Sequence, residues 1–88
     1  MSISKIIRKV CEAFDVKPSD IISSSRKQPI ADARKAISFI SLTKGHLPPS
    51  IAGFIDKERS TVLYQIKRHR ELMTHDSEYK KKVEAVEL

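Results

Sequence analysis

The side chains best suited to chemistry crowd into residues 57–70, KERSTVLYQIKRHR. Ser60 and Thr61 carry hydroxyls that can meet a donor or an acceptor, and a threonine methyl can pack on the methyl of thymine. Arg68 can pair bidentately with guanine. At helical spacing Ser60, Thr61, Tyr64, Gln65 and Arg68, with the preceding Lys57, fall on the outside. Val62, Leu63, Ile66 and Met73 share the opposite side and are expected to pack inward. A face of this composition suits the major groove of a DNA duplex. Most exposed helix faces are polar whatever their role, so the weight falls on the context: a cation excess from Lys57 to Arg70, and the element just before it.

That element is a short apolar helix over 48–54, joined by the charged turn Asp56-Lys57-Glu58-Arg59 to a second helix over 60–73. Two helices and a tight turn, the second opening on short polar side chains, make a helix-turn-helix. The remaining segments supply the body that must hold it. Residues 3–14 place Ile3, Ile6, Ile7, Val10, Cys11 and Phe14 on one stripe. Such a helix can lie on a membrane, but this one runs straight into more foldable sequence, which favours core packing. Pro18 opens a short helix over 18–23 with Ile21 and Ile22 expected inward. Residues 23–29, SSSRKQP, read as a loop with two adjacent cations. The longest helix is expected over 30–44, with Ile30, Ala33, Ile37, Ile40 and Ser41 on one face, Phe39 and Leu42 beside it, and Gly45 as its stop. Residues 72–77 read as a break, and a last helix over 78–87 turns Tyr79, Val83 and Val86 inward. The expectation is one all-α domain, 1–88, a bundle of five to six helices containing a helix-turn-helix.

Composition bounds the function. A net charge of +6 and a pI of about 9.7 attract polyanions, nucleic acid first and an anionic membrane second. Cys11 is the lone cysteine, so neither an internal disulfide nor a cysteine cluster for metal can form. No apolar run has the length of a membrane span or a signal-peptide core, and a cytoplasmic, nucleoid-associated protein is expected. His46, His69 and His75 lack the i, i+4 spacing of a helical metal site, and Ser23-Ser24-Ser25 is a turn composition before it is a nucleophile. No catalysis, metal or cofactor is expected. Two rival readings stay open: a helical protein-interaction module docking through its first or last helix, and an RNA-binding protein. Two tyrosines, three phenylalanines and no tryptophan argue against a stacking platform for single strands.

From about residue 6 to residue 79 the chain resembles the carboxy-terminal DNA-binding domain of the bacterial replication initiator DnaA, a Trp-repressor-like helix-turn-helix. Phe14-Asp15-Val16-Lys17-Pro18-Ser19-Asp20-Ile21-Ile22 is similar to that family's F-x-V-x-x-x-D-L-L. The basic loop Arg26-Lys27-Gln28 follows, then Arg34-Lys35 early in the long helix, then Leu47-Pro48 through Phe54. Lys57-Glu58-Arg59-Ser60-Thr61-Val62-Leu63 lies without a gap on the family's Gly-Arg-Asp-His-Thr-Thr-Val-Leu signature. The resemblance implies double-stranded DNA as partner. It puts Lys57 near the phosphate backbone, Glu58, Arg59 and Ser60 at base edges in the major groove, and Thr61 against a thymine methyl. It makes Arg34 a phosphate grip and sends a loop side chain (Arg26 or Lys27, with Gln28 at the matching position) to the adjacent minor groove.

Departures from the pattern redirect these expectations. Arg59 replaces histidine and favours guanine N7 and O6, while Glu58 replaces aspartate and can accept from cytosine N4. Each such pair discriminates by about 1–3 kcal/mol, so a different target sequence is expected. Ile55-Asp56 replaces a glycine pair, and a positive φ at Ile55 would be costly. The resemblance implies an ATPase module ahead of such a domain in initiators of this kind; no Gly-rich phosphate loop occurs in this sequence, and a free-standing domain without a nucleotide cofactor is expected. It is expected to act as a monomer in replication-origin or transcription control.

Overall fold

The apolar stripes of the sequence become six helices in the computed structural model, which describes residues 1–88 and contains no strand: α1 (Ile3–Phe14), α2 (Pro18–Ile21), α3 (Gln28–Thr43), α4 (Pro48–Ile55), α5 (Arg59–His75) and α6 (Ser77–Glu84). In α1 the Ser2 hydroxyl caps the first turn, accepting from the Lys5 N–H at 3.1 Å, and all six stripe residues are buried. α3 is the central helix, packed on both α1 and α5, and small Ala33 and Ala36 let its neighbours approach closely. One apolar cluster joins α1 to α6, with Phe14 and Tyr79 meeting edge to face at 5.8 Å between ring centroids.

Several boundaries differ from the sequence reading for identifiable reasons. α3 starts at Gln28 rather than 30, because Pro29 lies in the first turn, where its missing N–H costs nothing. The expected break over 72–77 shrinks to Asp76. Its carboxylate accepts from the Tyr79 N–H at 3.1 Å and so caps α6 directly after α5 ends. α6 stops at Glu84, three residues short of 87. α2 has only four residues and one inward position. Ile21 fills it, and Ile22, expected inside, is 52% exposed.

The helix-turn-helix turn is resolved by its aspartate. Ile55 keeps helical geometry and is fully buried, while Asp56 takes the left-handed conformation at φ 56°, ψ 51°. Asp reaches that region more cheaply than a β-branched residue, so the glycine pair is dispensable here. α1 ends the same way on Asp15, at φ 55°.

Candidate nucleic-acid interface

Two elements build the site: the start of α5 and the loop between α2 and α3. The N-cap residue of α5 is Glu58, and its side chain makes no capping hydrogen bond. The amides of the first turn are left for an outside acceptor, and the helix dipole adds partial positive charge there. Glu58, Arg59 and Ser60 are exposed, Thr61 is half-buried, and Tyr64 stands 58% exposed.

The inner side of α5 is Val62, Gln65, Ile66 and His69. This corrects the sequence reading at two positions. Leu63, expected in the core, is 46% exposed, one step beyond the inner arc. Gln65, expected on the outside, is buried, and its Oε1 accepts from the Ser38 hydroxyl at 2.7 Å. The pairing removes the cost of burying the amide oxygen unpaired.

Between the loop and α5 lies an open cleft of about 600 Å³, bordered by Ser25, Arg26, Lys35, Lys57, Thr61 and Tyr64 among others. Arg34 borders it too, but not as a free phosphate grip. Its Nε donates to the Ile21 carbonyl at 2.8 Å, Nη1 to Ser25 at 2.6 Å, and Nη2 to Asp20 at 2.9 Å and Ser23 at 2.6 Å. Four of the five guanidinium N–H groups are thereby committed, and the residue is 5% exposed. Arg34 gathers the carbonyls of residues 20–25 and shapes the loop that carries Arg26. Burial lowers its pKa, opposed in part by Asp20.

Lys57 is also engaged, its Nζ donating to the Ser23 carbonyl at 2.9 Å and more weakly to that of Asp56 at 3.3 Å. Its pKa is lowered by burial first and by Arg34 second, with Asp56 pulling the other way. Gln28 belongs to α3 and turns its amide onto Asp32, at 3.0 and 3.1 Å. The side-chain ion pairs are Lys35–Asp32 at 3.3 Å and Arg68–Glu71 at 3.0 Å. Arg26, Lys27, Arg34, Lys57 and Arg59 therefore have no carboxylate partner, and the charges of Arg26, Arg34 and Lys57 add up around the cleft. Arg68 borders no part of the cleft, and its pKa is raised by the bond to Glu71.

The sequence matches the family described as "Bacterial dnaA protein helix-turn-helix" over residues 3–68. The chain belongs to that family. It is 34% identical to the chromosomal replication initiator protein DnaA of Campylobacter fetus subsp. fetus, over 96% of this chain and 20% of that protein. The DnaA proteins of Campylobacter jejuni subsp. doylei and Nautilia profundicola are 29% and 30% identical over the same shares. The chain thus spans about a fifth of the length of these relatives.

The family match takes in every site residue named from the sequence, and α6 lies outside it. Arg26, Arg34, Lys57, Thr61 and Tyr64 come together around the cleft, and Glu58, Arg59 and Ser60 stand at the tip of α5 beside it. Lys27 and Gln28 lie outside the cleft lining. Lys35 also borders the cleft, although the sequence reading gave it no role. Lys35 shares a face of α3 with Ala31 and Arg34 at i, i+3, i+4 spacing, a signal that was available. No cluster of three His, Cys, Asp or Glu side chains is arranged to hold a metal ion, and no helix is long and apolar enough to cross a membrane.

Proposed function

We propose that the protein binds duplex DNA in a sequence-dependent way, with the first turn of α5 in the major groove and Arg26-Lys27 reaching the adjacent minor groove. One observation carries this: Glu58, Arg59 and Ser60 stand exposed at the start of a 17-residue helix, beside a cleft whose cations Arg26 and Lys57 have no carboxylate partner. In that position Arg59 pairs with guanine, Glu58 accepts from cytosine N4, and Thr61 offers a methyl to thymine. The backbone is met by unpaired positive charge on either side of the helix tip. The relatives' name, chromosomal replication initiator protein, supports a role at a replication origin. Transcription control is served by the same chemistry. The protein binds as a monomer on an asymmetric site, in the cytoplasm at the nucleoid.

Random-site selection on duplex DNA followed by titration at several salt concentrations tests the proposal. About five or six phosphate contacts give a log–log salt slope near −5. Arg59→Ala should cost about 1–3 kcal/mol on the selected site and relax preference at one base pair. Equal losses on selected and random duplexes would move Arg59 to the backbone. Absence of duplex affinity at physiological salt would end the reading in favour of a protein-docking module.

A further inference from the structure

Two cations from distant parts of the chain converge on one carbonyl. Arg34 of α3 donates to the Ser23 oxygen at 2.6 Å, and Lys57 of the turn before α5 donates to the same oxygen at 2.9 Å. A carbonyl oxygen has two lone pairs and can accept both. Neither cation has a carboxylate partner, so the arrangement holds two like charges close together. Partial desolvation first, and repulsion by Arg34 second, show in the lowered pKa of Lys57. The chain accepts this cost at one point, and the connectivity indicates what it gains. The Lys57–Ser23 bond is the single hydrogen bond that joins the α2–α3 loop to the unit formed by α4, its turn and α5. The other bonds of the loop run within it, to Asp20 of α2, or to α3 through Arg34 and the Ala31 N–H.

We propose that Lys57 is a positioning residue: it fastens the basic loop to the helix-turn-helix, fixing the separation between Arg26 and Arg59 without itself touching DNA. This rests on the groove reading above. Two elements that enter neighbouring grooves gain from a fixed separation, because binding by one presents the other at high effective concentration. A loose loop would still carry Arg26 but would have to be ordered on each encounter. Lys57 and Arg34 then form one device. Arg34 folds the loop onto α3, and Lys57 ties the folded loop to the reading helix. The charge that remains on Lys57 contributes to the general attraction of a polyanion, but its hydrogen-bonding head is occupied within the protein.

The test compares Lys57→Met, which removes donor and charge, with Lys57→Arg, which keeps both. Two measurements are needed: affinity for the selected duplex across a salt series, and NMR order parameters of the backbone amides of residues 23–27 in the free protein. The methionine variant should bind on the order of tenfold more weakly with an unchanged salt slope. Its loop order parameters should fall from about 0.85 towards 0.6. The arginine variant should recover both. A slope shallower by about 0.9, with the loop as rigid as before, would make Lys57 a phosphate ligand and overturn the inference. Unchanged affinity and unchanged order parameters would overturn it equally. If the wild-type protein binds no duplex the groove reading falls, and a loop equally rigid in both variants would then remove the fastening role as well.

Discussion

The two ends of α5 are made of similar residues and treated in opposite ways. From Gln65 onward the protein itself meets most of the polar groups. Gln65 takes the Ser38 hydroxyl, and the His69 ring stacks on Phe39 with centroids 4.1 Å apart and shares a hydrogen bond with the Tyr79 hydroxyl at 2.6 Å. The Arg70 guanidinium lies over the Phe39 ring at 5.7 Å. Before Gln65 the N-cap Glu58 and Arg59, Ser60, Leu63 and Tyr64 are exposed, and only Val62 is sealed in the core. One end of the helix is an anchor, and the other presents unmet hydrogen-bonding groups on a rigid stem. A recognition element needs both, since side chains held in place lose less entropy on binding.

If the ends are separate in this way, damage to the anchor should cost stability and leave recognition intact in the molecules that remain folded. Tyr79→Ala is the most severe case. The ring is 2% exposed, touches Phe14 and His69 edge-on, and belongs to the central apolar cluster. Loss of a buried aromatic side chain costs about 3–5 kcal/mol, read as a lower urea midpoint. Under conditions where the variant is still folded, its duplex affinity should match that of the wild type. A parallel loss of affinity would mean that α6 shapes the reading end as well.

Acid attacks the same anchor. His69 is 2% exposed, and burial, with a smaller push from Arg70, lowers its pKa from 6.5 to about 4. Below pH 6.5 the unfolded chain takes up this proton, while the folded chain stays unprotonated down to about 4. The unfolded state therefore binds more protons in that window. The contribution of His69 is fully present above pH 6.5 and is lost as the pH falls towards 4, on the order of 3 kcal/mol in all. Urea midpoints measured from pH 7.5 to 4.5 should decline for the wild type and decline less for His69→Leu. Equal slopes for the two proteins would assign the acid sensitivity to other groups.

The sequence made the apolar side of this fold readable and left its polar pairing hidden. The stripe Ile3, Ile6, Ile7, Val10, Cys11, Phe14 foretells α1 completely, because each of those residues gains only by leaving water. In α5 the same reasoning misplaces Leu63 and Gln65. The inner arc there includes an amide and an imidazole whose partners, Ser38 and Tyr79, are 27 and 10 residues away. Hydropathy ranks Leu63 above Gln65 and has no access to those partners. Arg34 is the stronger case. Its partners are backbone carbonyls 9 to 14 residues earlier, which no side-chain pattern records, so a buried clamp reads as a surface cation. The exposure of Glu58, Arg59 and Ser60 was readable for the converse reason: polar side chains without partners in the chain stay in water.

Leu63 gives the finest test of the divided helix. Between Arg59 at i−4 and Lys67 at i+4, on the outer arc with Ser60, it is an aliphatic side chain in an otherwise polar stretch. A buried leucine would cost about 2–5 kcal/mol on truncation, whereas an exposed one should cost less than about 0.5. Leu63→Ser should accordingly leave the urea midpoint almost unchanged. If the outer arc of α5 enters the major groove as proposed, the side chain should meet a thymine methyl, a contact of about 0.8 kcal/mol for each buried carbon. Replacing single thymines by uracil in the selected duplex removes those methyls one at a time. At one position the wild type should lose affinity and Leu63→Ser should not. Uracil penalties identical in both proteins would take Leu63 out of the groove while leaving Arg59 and Ser60 in it, narrowing the reading surface to the first turn of α5.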